Sequence, residues 1–148
     1  MKRLALVFLS ALAGCSGGGG GGGDDGTPFF GGVWTGDFNV VSDNCNGGTG
    51  FTDDKGFVLT VNQEDRTIVA DTPSGNVYQG TVTGDDSFTV SRVFSAQCDS
   101  GTPATVSRQF DFSNVDGDVA TVTFTSTSRC DGSIVTCELV ERGTLTRN

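Results

Sequence analysis

The sequence predicts an all-β protein, an eight-stranded antiparallel up-and-down barrel. From about residue 28 to the last residue, apolar and polar residues alternate with a period of two, and no window shows the period of an amphipathic helix. Short turn signals such as Asp116-Gly117 separate the alternating segments, as expected for a chain of hairpins. Eight is also the strand number at which a closed barrel is just filled by its own side chains or holds one small ligand.

An open β-sandwich of the same meander is the alternative, because periodicity does not show whether the first and last strands pair. Closure is favoured because it removes the exposed edges of the sheet. Gly36 and Gly80 lie at inward-facing positions of the first and fourth strands, where a missing side chain permits the sharp bend that a small barrel needs.

The first four strands are predicted from their inward-facing apolar positions. The third strand is short, from about residue 66 to 70, and ends at the turn Thr72-Pro73-Ser74-Gly75. The inward residues of the other three strands are Trp34, Phe38 and Val40, then Phe57, Leu59 and Val61, then Tyr78 and Val82.

The last four strands follow the same pattern and carry most of the phenylalanines. The eighth is expected to run from about residue 134 to 147. The inward residues of these strands are Phe88, Val90 and Phe94, then Val106, Phe110 and Phe112, then Ala120, Val122 and Phe124, then Leu139 and Leu145.

The amino terminus has the organisation of an export signal. Lys2 and Arg3 precede about ten apolar or small residues, a run too short to span a bilayer, which needs about twenty. It ends in Leu12-Ala13-Gly14-Cys15, which resembles the lipobox of bacterial lipoproteins. The resemblance implies a signal peptide over 1–14, an acylated Cys15 as the first mature residue, and anchoring to the membrane of the cell envelope. Ser16 after the cysteine favours the outer membrane.

Residues 15–27 are predicted to form a tether, and residues 28–148 a single domain. Seven consecutive glycines, Gly17 to Gly23, cannot repay the entropy of ordering. About twelve Gly-rich residues span on the order of 20 Å.

Charge restricts the class of partner. Without Lys2 and Arg3, seven basic residues face eighteen acidic ones, a formal charge of −11. This field opposes binding to nucleic acid and suits either a cationic protein partner or simple solubility.

Four cysteines remain in the mature chain: Cys45, Cys98, Cys130 and Cys137. In an exported protein they predict two disulfides, and without histidine or a C-x-x-C pair they predict no metal site. In a meander all four belong to one end of the barrel, named here the top end. We expect Cys45–Cys98 across the mouth and Cys130–Cys137 within the last hairpin. The alternative is Cys45–Cys137 with Cys98–Cys130, because strands one and eight are neighbours in a closed barrel.

Gly32-Val33-Trp34 on the first strand resembles the Gly-x-Trp signature of the lipocalin and calycin barrels. In those folds the Trp closes the barrel floor under an Arg from the final strand. The resemblance implies a structural role for Trp34 and for Arg147, which ends the last strand. It covers the topology and these two residues, since the other lipocalin motifs and the C-terminal helix are absent.

Arg92 and Arg108 interrupt the apolar pattern of strands five and six. If these strands pair about position 100, the two arginines stand opposite each other and face inward. Buried guanidiniums are costly unless an anion satisfies them, so they predict a site for a carboxylate or phosphate ligand in the barrel mouth. Two alternatives are that Glu141 neutralises them, or that a bulge turns both outward.

The chain is not expected to be an enzyme or to hold a cofactor. It contains no histidine to activate a nucleophile, and its acidic pairs lie in turns without the spacing of a calcium loop. The expected function is therefore a non-catalytic binding module for a small apolar or anionic ligand. The alternatives are a protein-interaction or hydrolase-inhibitor module, or a purely structural component of the envelope.

Overall fold

The computed structural model describes residues 26–45 and 55–148. The predicted signal peptide, Cys15 and nearly all of the predicted tether lie outside the described residues. The strands are β1 (Gly32–Asp43), β2 (Phe57–Glu64), β3 (Thr67–Asp71), β4 (Val77–Gly84), β5 (Ser87–Gln97), β6 (Pro103–Asp116), β7 (Val119–Cys130) and β8 (Cys137–Arg147).

Each strand pairs antiparallel with the next, and β8 pairs with β1, so the sheet closes into a barrel. The predicted closed barrel is therefore confirmed, and the open sandwich is excluded. Within the described ranges the barrel contains no helix.

The predicted register of β5 and β6 is also confirmed. Phe88 pairs with Phe112 and Arg92 pairs with Arg108, with no irregularity along the ladder. The eighth strand is shorter than expected and begins at Cys137, not near residue 134. Ile134 and Val135 belong to the β7–β8 loop instead, with 98% and 69% of their surface exposed, because the chain leaves the sheet after Cys130 through the turn at Asp131-Gly132.

The barrel interior is filled at the end where β1 begins, named here the floor. Phe30, just before β1, inserts its ring 5.1 Å from that of Phe88, which stacks on Phe112 at 4.1 Å. Trp34 meets Phe112 edge-on at 5.5 Å and donates its indole N–H to the Phe30 carbonyl. The backbone N–H of Phe30 donates to the side-chain oxygen of Gln63, with 2.7 Å between nitrogen and oxygen. All four rings are buried, so this half of the barrel is a packed aromatic core.

Arg147 links three parts of the chain at the floor of the barrel. Its guanidinium lies 5.4 Å from the centre of the Trp34 ring and donates to the carbonyl oxygens of Phe29 and Gly117. It also forms an ion pair of 3.0 Å with Asp118. One side chain thus joins β8 to the segment before β1 and to the β6–β7 turn.

Two inward glycines stand where strands approach too closely for a side chain. A Cβ on Gly80 would lie 1.8 Å from the Thr89 carbonyl oxygen, and one on Gly36 would lie 2.4 Å from that of Thr144. Both obstacles are backbone atoms of the neighbouring strand. The predicted need for glycine at these positions therefore has a direct steric cause.

We expect Arg147→Met to lower the free energy of unfolding by about 2 kcal/mol, because the Phe29 and Gly117 carbonyls lose a charged donor. The apolar methionine keeps much of the packing over Trp34. Urea unfolding followed by Trp34 fluorescence measures the change.

Arg142→Met is the matched control, because Arg142 is exposed on the same strand. Its cost is expected to stay within about 0.5 kcal/mol. Equal losses in the two variants would show that Arg147 is an ordinary surface residue.

Candidate functional site

The top end of the barrel is hollow. A cavity of about 460 Å³ opens there, between the starts of β2 and β8 and the β3–β4 turn. Its wall includes residues from six strands and from that turn: Phe38, Gly56, Phe57, Val58, Thr72, Pro73, Ser74, Asn76, Tyr78, Arg108, Phe110, Phe124, Ser126, Leu139 and Glu141.

Aromatic rings form the apolar part of the wall. Phe110 is their centre, with ring centroids 5.2 Å from Phe57, 5.1 Å from Tyr78 and 4.7 Å from Phe124. Phe38 meets Phe57 edge-on at 5.2 Å and lies between this group and the packed floor. Phe57 and Phe124 are only partly buried, so their faces are available to a ligand.

The β3–β4 turn, residues 72–76, contributes polar groups to the same wall. A backbone hydrogen bond from the Thr72 amide to the Asn76 carbonyl closes the turn, and the Thr72 and Asn76 side chains both bond to the Ser74 hydroxyl. The sequence predicts this chain reversal but gives no sign of its contribution to the cavity. Turn chemistry alone does not show what a turn covers.

Arg92 and Arg108 both lie on the inner side of the barrel, so the alternative that a bulge turns them outward is wrong. Arg92 donates to the Asn76 side-chain oxygen, and its guanidinium lies 4.5 Å from the Phe94 ring centre and 5.7 Å from that of Tyr78. The Arg108 guanidinium lies 5.3 Å from the same Phe94 ring. Phe94 is therefore a shared contact of the two cations.

The two arginines differ in their relation to the cavity. Arg108 lines it, whereas Arg92 is not among the described residues of its wall. Within the part of the chain that the structure describes, the buried Nε of Arg108 has no hydrogen-bond partner.

Glu141 faces inward from β8, as its parity with Leu139 predicts. It is 6% exposed and shares the cavity wall with Arg108. The cavity therefore contains one acidic and one basic side chain among its described residues, which is the arrangement that the neutralisation alternative requires.

The expected disulfide pairing is wrong, although two disulfides are present at the top end. Cys45 is bonded to Cys137 and Cys98 to Cys130, which is the alternative pairing. Cys45 follows β1 and lies beside the start of β8. The adjacent residue, Asn44, donates its backbone N–H to the carbonyl of Glu138 on β8. Closure of the barrel therefore brings Cys137 to Cys45, and a bond across the mouth would have to span the cavity.

Across 26–45 and 55–148, no group of three or more His, Cys, Asp or Glu side chains is placed to hold a metal ion. The same residues include no helix long and apolar enough to cross a membrane.

The chain matches no protein-family model and no curated protein. Among solved structures it is similar to a candidate outer membrane protein from Bacteroides fragilis, with 13% identity and a TM-score of 0.37. The similar region covers 80% of this chain and 50% of that one, so this chain matches half the length of its neighbour. At so low a TM-score the function of one protein does not follow from the other.

We expect proteolytic mapping of the secreted protein without reductant to recover a Cys45–Cys137 peptide and a Cys98–Cys130 peptide. The two bonds close loops of 92 and 32 residues. In the chain-entropy model these loops stabilise the fold by about 4.5 and 3.5 kcal/mol.

Cys45→Ser/Cys137→Ser is therefore expected to lower the unfolding free energy more than Cys98→Ser/Cys130→Ser. Recovery of a Cys45–Cys98 peptide would contradict the observed pairing.

Proposed function

We propose that this chain is a lipoprotein of the cell envelope, anchored through Cys15, whose barrel binds a small and mainly apolar molecule without catalysing a reaction. The observation that carries the proposal is the aromatic cavity at the top end of a barrel whose floor is packed solid. A barrel that served only as a rigid spacer would have no need for one hollow half.

The dimensions and chemistry of the cavity support a small ligand. Its volume of about 460 Å³ falls within the range of small-molecule sites, about 300–1,000 Å³. Such sites are lined mainly by aromatic and apolar side chains with a few polar groups that orient the ligand. Here five aromatic rings provide the apolar surface, and Arg108, Ser126 and Glu141 are among the polar groups.

The position of the chain entry supports an outward-facing mouth. The predicted tether leads into Phe30, which plugs the floor, and the cavity opens at the opposite end. Acylation of Cys15 would therefore hold the floor towards the bilayer and leave the cavity open to the surroundings. Ser16 favours the outer membrane as the site of anchoring.

The anchor is tested by growing a bacterial host that expresses the full chain with a radiolabelled or alkyne-tagged fatty acid. We expect label on the wild-type protein and none on Cys15→Ser, because the cysteine is the acylated group. Label that persists in Cys15→Ser would contradict lipidation at this position.

The binding proposal is tested with N-phenylnaphthylamine, a neutral dye whose fluorescence rises in apolar surroundings. We expect saturable binding to the wild-type domain and at least about tenfold weaker binding to Ser126→Trp, because an indole at Ser126 fills the cavity.

Thr125→Trp is the matched control. Thr125 directly precedes Ser126 on β7 and therefore faces outward. Its affinity for the dye should equal that of the wild type. A wild-type domain that gives no saturable signal would overturn the binding proposal.

A further inference from the structure

We propose that the ligand of this cavity carries a single acidic head group and that Arg108, not Arg92, receives it. This inference rests on the proposed ligand-binding function. It names the chemistry of the ligand and separates the roles of two arginines that the sequence treats alike.

Arg108 has the unsatisfied donor. Its Nε is buried and has no hydrogen-bond partner among the described residues, while the side chain lines the cavity. Leaving a buried donor of a charged group unpaired is costly, so an oxygen supplied from the cavity would lower the free energy of the complex. Because the wall covers Nε, the guanidinium has to turn towards the cavity for an acid group to reach this donor. The Nε–H and a neighbouring Nη–H then form the fork that binds the two oxygens of the acid group.

The second cation reinforces the preference for an acid. Arg92 and Arg108 are directly opposite in the β5–β6 ladder, and both guanidiniums contact the Phe94 ring. Two like charges held near one ring repel each other. A negative charge at Arg108 relieves that repulsion, whereas a neutral head group does not.

Arg92 binds the β3–β4 turn and is not part of the cavity wall. Its guanidinium donates to the side-chain oxygen of Asn76 and covers the ring of the buried Tyr78. Asn76 ends the turn that borders the cavity, so Arg92 fixes this turn to β5. We therefore assign Arg92 as a positioning residue and Arg108 as the residue that contacts the ligand.

Glu141 limits the ligand to one acidic group. It is buried in the same wall, on β8, and is engaged in interactions of its own. A second acidic group placed towards β8 would meet this carboxylate in a region of low dielectric constant, where like charges repel strongly. The rest of the ligand would instead contact the aromatic rings.

The test compares N-phenylnaphthylamine with its sulfonated analogue, anilinonaphthalene sulfonate, which adds one acidic group to the same aromatic body. The measured quantity is the ratio of the Kd of the neutral dye to the Kd of the sulfonate. We expect Arg108→Gln to lower this ratio by about tenfold or more, because only the sulfonate loses a charged hydrogen bond.

Arg129→Gln is the matched control. Arg129 is exposed on β7 and faces outward, so this variant loses the same charge from the domain without altering the cavity. Its ratio should equal that of the wild type. In Arg92→Gln most of the wild-type ratio should remain. Glu141→Gln should raise the ratio, because this substitution removes a negative charge from the cavity wall.

Arg108→Lys provides a second variant in case Arg108→Gln does not fold. It keeps the charge and loses the fork, so its ratio should fall between those of the wild type and Arg108→Gln. Circular dichroism and the melting temperature show which variants are folded.

The outcomes separate this inference from the proposed function. If both dyes bind but the ratio is unchanged in the folded Arg108 variants, or falls equally in Arg129→Gln, the acidic subsite is wrong while the cavity remains a ligand site. If neither dye binds the wild-type domain, the proposed function itself is wrong, and this inference falls with it.

Discussion

The hydrogen-bonded seam between β1 and β8 is the contact on which the rest of the structure depends. Because the first and last strands pair, the sheet has no free edge, and its inner face becomes an enclosed interior. The seam is fastened at both ends. At the floor, Arg147 lies over Trp34 and binds the segment before β1. At the top, the Cys45–Cys137 disulfide joins the chain just after β1 to the start of β8.

The two halves of the interior differ because the chain supplies an additional ring to only one of them. Phe30 enters from the floor and packs against Phe88, which stacks on Phe112. No described residue fills the top half in the same way, and the contacting rings around Phe110 form the apolar wall of a cavity that opens at this end. The same all-β scaffold thus provides a stable core at one end and a ligand-sized cavity at the other.

Much of the candidate site follows from parity and register. Arg92 and Arg108 could be placed opposite each other because a regular antiparallel ladder with a short turn has few alternative registers. The inward direction of Glu141 follows from the same alternation. The contact of Arg92 with Asn76 could not be predicted, because Arg92 lies on β5 and Asn76 in the β3–β4 turn, and the curvature of the barrel decides whether their side chains meet.

The pattern of residues by itself determined the strand order, the inward and outward faces and the end of the barrel at which each cysteine lies, since these depend only on a period of two and on short turns. Tertiary structure alone decided which cysteines pair, that Phe30 fills the floor, and that Arg108 rather than Arg92 reaches the cavity. These features depend on distances across a closed and curved sheet, which are set by closure and packing and are not encoded in the spacing of residues along a strand.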